Sequence, residues 1–476
     1  MDDILKHIFK DGKLARVESQ EDFAKQLLIQ TINIAEQQKQ PVSDIVGFLV
    51  TQIAALDQVI GDQLNEVMHD PAFLKLEGSW RGMNYLVFKT STSTTLKLRF
   101  FNVTKDELLK DLESAVEFDQ SQLFKKVYEE EYGTFGGAPY SCLVGDFEFG
   151  RHPQDIEMLS KISNVAAAAH APFIASASPA LFDLDHFEQL GLPRDLSKIF
   201  ESLEMIKWDS FRNSEDSRYV ALLLPRVLMR LPYGANTLPA EGMVFEEKVS
   251  GTNSQQFCWT SPAYVLGERI TNAFSLYGWT AAIRGVEGGG LVEDLPAYTF
   301  RTTDGDLALK CPTEAAITDR REKELSDLGF ISICHCKNKD YAAFFGGQTT
   351  QRPKIYNLSD ATANASLSAR LPYMLAASRF AHYIKVIMRD KIGSFLTKDN
   401  VSSYLNNWIA NYVLLNDDAS QEVKARYPLR EARIDVHDVP GKPGSYTSIV
   451  YLRPHFQMEE LKASIRLVAT LPPPAA

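Results

Sequence analysis

Residues Ser141–Ala177, SCLVGDFEFGRHPQDIEMLSKISNVAAAAHAPFIASA, decide the fold class. Ser141–Phe147 reads as a strand, Asp155–Ala169 as a helix and Phe173–Ala177 as a second strand. A short apolar run, a helical spacing of apolar residues and a second short run are the pattern of an α/β domain. The same alternation extends on both sides. Tyr85–Lys89 and Leu96–Val103 read as strands joined by a Ser/Thr-rich turn. Thr104 and Glu107 form a capping box for a helix reaching Ala115. A helix is expected around Leu196–Ile206. Arg218–Leu224, stopped by Pro225, has the continuous apolar character of a buried central strand. Pro262–Tyr277 is helical, and further strands bracket a charged helix at Asp319–Leu328.

The two ends differ from this middle. Ser19 and Asp22 have capping-box spacing ahead of Phe23, Leu27, Leu28 and Ile32, which form one apolar face. Pro41 interrupts, and Ser43 caps a second helix. There Ile45, Leu49, Ile53, Leu56, Ile60, Leu64 and Val67 recur every three or four residues. So long a stripe suits an arm packing on another helix, including one from a partner. At the other end, Ala361–Arg389 and Asn400–Leu415 are helical, the second with Tyr404, Leu405, Trp408, Ile409, Tyr412 and Val413 on one face. Leu429–Val439 and Tyr446–Leu452 flank the turn Pro440–Gly444 and form a hairpin. Leu461–Ala469 alternates apolar with polar and reads as a third strand. The expected organisation is an N-terminal helical arm (1–68), a central α/β domain (69–350) and a C-terminal α+β assembly domain (351–476).

Composition bounds the function. The chain has 476 residues, 45% hydrophobic and 23% charged, which excludes disorder as a whole. Fifty basic against 61 acidic residues leave a net charge of −11, so a general nucleic-acid surface is not expected. No apolar run is long enough for a membrane-spanning helix; the nearest, Val165–Leu181, is interrupted by His170, Pro172 and Pro179. No signal peptide precedes the first helix. Five scattered cysteines do not make a disulfide framework, which points to the reducing cytosol.

Catalytic signatures are scarce. Gly285–Gly290, GVEGGG, lacks dinucleotide spacing and does not lead into a helix, so a tight turn or close backbone packing explains it better. Cys334-His335-Cys336 with Cys311 is the metal-like cluster. Its C-x-C spacing is poor for zinc, and buried strand cysteines are the simpler reading. His170 with Ser176, Ser178 and Asp183 invites a hydrolase triad, although proximity in sequence is no evidence of geometry. The charge run Arg320–Glu324 suits a solvated helix face. No cofactor or metal is expected, and the chain is not expected to be an enzyme. The C-terminal hairpin either offers an unpaired edge to another chain or is completed into a sheet within this one; pattern alone leaves both readings open.

Several stretches together resemble one family. Phe73–Met83 (FLKLEGSWRGM) is similar to a signature of the type VI secretion contractile sheath large subunit, the TssC or VipB family. The resemblance continues through Tyr128–Pro139, Val165–Pro179, Arg212–Gly234, Tyr277–Gly290, Lys310–Glu324, Ser378–Phe395 and Arg453–Pro472, in order. Asn213 and Ala315-Ala316 are small departures. The resemblance implies a structural protein that pairs with a small sheath subunit (TssB or VipA). Six-fold rings of the pair would stack into a helical tubule around an Hcp tube, on a baseplate, and contract to inject effectors. It also implies cytoplasmic assembly in a Gram-negative bacterium without membrane insertion, and recycling by the unfoldase ClpV. The matching ClpV helix carries Phe23, Leu27, Leu28 and Ile32. On its own turn and alternation, the hairpin from about Leu429 to Leu452, with Ile434, Val436 and Ile449, is the best candidate for the strand pairing that links subunits. Alternatives are a cytosolic α/β hydrolase using the His170–Asp183 region, or the sheath of a phage-tail-like extracellular injector.

Overall fold

The computed structural model describes residues 45–392, 394, 397–441, 445–455 and 457, with scattered positions between 20 and 33. The chain forms two compact units, residues 1–74 with 230–257 and residues 75–229 with 258–476.

In the first unit, helix α1 (Ile45–Met68) is held by the excursion 230–257. The Asn65 amide donates to the Gly61 and Glu246 carbonyls at 2.8 and 3.2 Å and accepts from the Lys248 N–H at 2.7 Å. Arg230 and Glu247, both buried, pair through two hydrogen bonds of 2.5 and 3.1 Å. Glu247 also accepts from the Tyr233 N–H at 2.9 Å. A buried ion pair survives only when its remaining lone pairs are used, and here they are. Asp70 then starts helix α2 (Pro71–Lys89), accepting from the Ala72 and Phe73 N–H groups.

The second unit is built on a six-stranded sheet. After helix α3 (Lys105–Ser114) come β1 (Leu143–Phe149), α4 (Pro153–Ala169), β2 (Phe173–Ala177), β3 (Val220–Leu224), β4 (Val227–Leu228), β5 (Trp259–Thr260), α5 (Pro262–Tyr277), β6 (Leu291–Val292), β7 (Thr299–Arg301), β8 (Leu307–Leu309), α6 (Asp319–Asp327), β9 (Phe330–His335) and β10 (Ala342–Phe344). The order is β1-β2-β3-β9-β10-β6. β1, β2, β3 and β9 run parallel, and β10 lies antiparallel to both β9 and β6. Period-two geometry divides the core between two faces. Phe173, Ala175, Val220, Leu222 and Leu224 meet Ile156, Leu159 and Ile162 of α4. Ile174, Ala221 and Leu223 meet Val265, Leu266 and Ile270 of α5. Every residue of β2 and β3 is buried, which is why both read as unbroken apolar runs. Proline opens both covering helices, and the left-handed residues His170 and Gly278 close them.

Helices α7 (Ser359–Ser368), α8 (Leu371–Asp390) and α9 (Lys398–Ala410) follow, then β11 (Leu429–Asp438) and β12 (Tyr446–Pro454). The capping box at Thr104 and Glu107 is present in full.

Three expectations need correction. Tyr85–Lys89 is the end of α2, and 96–103 carries no regular structure. Gly78 and Gly82 let α2 lie directly on β5: a Cβ at Gly78 would come 2.1 Å from the Trp259 carbonyl, and one at Gly82 2.2 Å from Thr260 Oγ1. Tertiary contact therefore overrides a local alternation. The helix around Leu196–Ile206 is three short pieces, at 197–200, 203–205 and 206–212. The long helix at Ala361–Arg389 is two, because Thr349 takes the Ala369 carbonyl and the Leu371 N–H turns to Gly347, with Pro372 starting the new helix. The third strand expected at 461–469 lies outside the described residues.

Candidate assembly site

The β11–β12 hairpin forms a two-stranded sheet of its own. Ile434 and Val436 are buried with Leu429 against Phe380, Ile384, Val401, Leu405 and Ile409 of α8 and α9. Trp279 stacks on Phe380 in the same cluster, at a 4.4 Å centroid distance. Tyr404 points outward, with Lys391 4.6 Å over its ring. On the other face of the hairpin Ile449 and Tyr451 are exposed, and Arg433 lies 4.7 Å over the Tyr451 ring.

The hairpin's two edges are unlike. Asn406 of α9 clamps β11: its amide donates to the Ile434 carbonyl at 2.8 Å and accepts from the Ile434 N–H at 3.0 Å. Near the start of β11, the Leu414 N–H takes the Leu429 carbonyl. Because both backbone groups of Ile434 face Asn406, Ile434 and its register partner Val450 are a non-hydrogen-bonded pair. The backbone groups of Tyr446, Ser448, Val450 and Leu452 therefore point away from β11. No strand partners that edge among the described residues. Ile449, opposite Asp435, instead bonds within the hairpin.

A second surface lies on α1, in the other unit. Ile53, Leu56, Ile60 and Val67 of its apolar stripe are exposed. Phe23 is exposed as well; Leu27, Leu28 and Ile32 lie outside the described residues.

The enzyme-like candidates are not brought together. His170 Nδ1 lies 3.1 Å from the Tyr219 hydroxyl, Ser176 pairs with Ser261 at 2.6 Å, and Asp183 is held by Arg194 and Arg151 at 2.9 and 3.1 Å. Burial, with Lys385 and Arg218 nearby, lowers the His170 pKa. The Gly285–Gly290 loop is a tight turn on β10: the Gly290 N–H closes on the Gly285 carbonyl at 2.8 Å, and a Cβ at Gly290 would strike the Phe344 carbonyl. The Cys-His-Cys stretch does not converge, because period two sends Cys334 and His335 to opposite faces of β9. Cys334 is buried beside Ser332, where burial pushes its thiol up to about 12. No group of three metal-ligating side chains occurs among the described residues. The charge run of α6 does more than face solvent. Arg321 donates to the Leu190, Leu192 and Arg194 carbonyls, and Glu324 accepts from the Leu196 N–H, so the two fasten the preceding loop. Sequence reasoning missed Asn406, whose place in a helix gives no hint that it closes a strand edge.

Comparison with known proteins gives the family. Residues 50–351 match the VipB family, described as EvpB/VC_A0108, tail sheath N-terminal domain. Residues 360–471 match its second part, the tail sheath gpW/gp25-like domain. This chain belongs to the VipB/TssC sheath family. A relative in Pseudomonas aeruginosa, the type VI secretion system sheath protein TssC1, is 50% identical over 433 residues, covering 90% of this chain and 87% of the relative. Among solved structures, the anti-feeding prophage baseplate matches with a TM-score of 0.39 and 11% identity over 82% of this chain and 87% of that one. The contracted sheath complex of an extracellular contractile injection system matches at 0.35 and 9% over 65% and 68%. In this chain the glycines of FLKLEGSWRGM, Gly78 and Gly82, are the ones that seat α2 on β5. Among the described residues no helix is long and apolar enough to cross a membrane.

Proposed function

We propose that this sheath-family chain is the large subunit of a two-subunit contractile sheath, pairing with a TssB-type small subunit in six-fold rings around an Hcp tube. Assembly takes place in the cytoplasm on a baseplate, and the chain has no catalytic role. The observation that carries the reading is the outer edge of β12, where Ser448, Val450 and Leu452 present backbone donors and acceptors with no strand partner among the described residues. A neighbouring subunit's strand added there gains main-chain hydrogen bonds, and the hairpin can swing as a unit while rings slide. The 351–476 region acts as the assembly domain, with Ile434 and Val436 anchoring the hairpin and Ile449 on its open face. The exposed stripe of α1 receives a helix of the small subunit. The Phe23, Leu27, Leu28 and Ile32 face serves ClpV after contraction; Phe23→Ala with Leu27→Ala is expected to weaken ClpV binding and leave tubules intact.

The deciding experiment is Ser448→Pro in the chain co-expressed with its small partner. The Ser448 N–H points away from β11, so proline there spares the hairpin ladder and removes a donor from the open edge. Sedimentation and negative-stain microscopy are expected to show heterodimers without long tubules. Long contractile tubules from Ser448→Pro would overturn the β12 edge as the joint.

A further inference from the structure

Helix α1 has two faces of opposite character, and the fold chooses between them. Asp57, Gly61 and Asn65, with His69 just past the end of the helix, recur every four residues and form one polar or small row. Ile53, Leu56, Ile60 and Val67 form the apolar stripe, roughly a third of the way round the helix from that row. The excursion 230–257 takes the polar row. The Val244 N–H donates to Asp57 Oδ2 at 3.2 Å, Lys248 Nζ pairs with Asp62 at 2.5 Å, and His69 Nε2 lies 3.3 Å from Glu247 Oε1. Phe245, itself buried, packs over Gly61, 3.5 Å from where a Cβ would stand. The stripe is left exposed, Leu56 to 60%.

Apolar burial alone favours the opposite choice, the stripe against Phe245. Directional bonds hold the polar row there instead, and Asn65 makes most of them. Only 6% exposed, its amide donates to the Gly61 carbonyl one turn back and to the Glu246 carbonyl of the excursion, and accepts from the Lys248 N–H. A side-chain amide thereby does for an extended segment what a neighbouring strand would do. One rotation of α1 about its axis aims the amide at those two groups, and any other leaves a buried amide without partners, which is costly. The device recurs on α9, where Asn406 bonds the Ser402 carbonyl one turn back and both backbone groups of Ile434.

We propose that Asn65 is the positioning residue of the α1 surface: its amide fixes the rotation of α1, so that the excursion binds the polar row and the stripe faces outward for a helix of the small subunit. The inference rests on the assignment of that stripe in the proposed function, and adds what keeps the stripe from being buried within its own chain. The spacing of the stripe, three, four and then seven residues, is that of a seam that takes another helix. Without the clamp α1 turns its stripe towards Phe245 and hides it.

The test reads the stripe directly. Leu56→Cys places a thiol in it, and maleimide labelling of the full-length chain, followed peptide by peptide in a mass spectrometer, measures its accessibility. Adding Asn65→Leu is expected to slow labelling at position 56 about 10-fold, as the population shifts from stripe outward to stripe inward, while α1 keeps its protection from amide exchange. A merely structural role has the opposite sign, because local unfolding speeds labelling. Lys248→Pro removes the N–H that Asn65 accepts and leaves the α1 sequence unchanged, and is expected to slow labelling likewise. Unchanged or faster labelling in either variant, with α1 still protected, would overturn the proposal. So would exchange of the Lys248 N–H at the rate of an open loop in the unaltered chain, a measurement that needs no variant to fold. Failure of the proposed function looks different: slowed labelling with an unchanged affinity for the small subunit would leave the clamp standing and remove α1 from the pairing surface.

Discussion

The central sheet and the C-terminal hairpin are both made of strands, and they treat their edges in opposite ways. β2 and β3 are buried on both faces and paired on both sides. The hairpin is buried on one face only; one edge is clamped by a side chain, and the other has no strand partner among the described residues. An interior strand contributes through the apolar area that its side chains remove from water, whereas an edge strand keeps backbone groups available for another chain. A protein that must hold its own shape and also link to its neighbours needs both kinds. Substitutions should therefore separate folding from assembly.

The largest effect is expected in the sheet. Leu222→Ala removes a fully buried side chain from the middle of β3. It should cost about 2–5 kcal/mol, read as a lower denaturant midpoint, and the yield of folded chain should fall with it. Next comes Ile449→Pro, which breaks the hairpin's own ladder opposite Asp435 at a local cost of about 3 kcal/mol. Unlike Ser448→Pro, it should unfold the hairpin itself, seen as rapid amide exchange at Asp435. An equal response from the two proline variants would erase the distinction between the strand's inner and outer sides.

A pH effect of intermediate size sharpens the contrast from within the core. His382 on α8 is buried, and its Nε2 lies 2.8 Å from the Ala169 carbonyl. Desolvation pushes its pKa down to about 4, helped by Arg379, His170 and Lys385 and opposed by that carbonyl. The Tyr132 ring and Arg389, beside Lys385, complete the surroundings. The folded state thus holds His382 neutral while the unfolded chain protonates near 6.5. Stability should be full above that value and fall as pH drops towards about 4, by an amount on the order of 2–3 kcal/mol. Urea midpoints across this window test it, and His382→Gln should flatten the slope.

What could be read beforehand follows the same division. The continuous apolar runs of β2 and β3, the capping box at Thr104 and the Pro-to-Gly limits of α5 are local signals, and each has a local cause. Residues 85–89 misled because their helix depends on Gly78 and Gly82 touching a strand nearly two hundred positions away. The break between α7 and α8 depends on Gly347 and Thr349, again a distant pairing. For the assembly site, the turn at 440–444 and the alternation around it suggested a hairpin with a free edge. Which edge is closed by a side chain could not be read, because it depends on one amide from another helix.

That amide gives the smallest and most specific prediction. Asn406 satisfies both backbone groups of Ile434 and also donates to the Ser402 carbonyl at 2.9 Å. Asn406→Ala leaves an N–H and a C=O on the outer edge of β11 with only water as partner. Both hydrogen bonds are part-buried, and the stability loss should be about 1–2 kcal/mol. The larger consequence is for specificity. With the clamp gone the hairpin has two open edges, and a strand can add to either. Co-expressed with the small subunit, Asn406→Ala should still form heterodimers, yet give irregular or branched aggregates beside ordered tubules. Tubules as regular as those of the unaltered chain, at the same modest loss of stability, would mean that Asn406 merely braces α9 against β11 and that something else selects the edge.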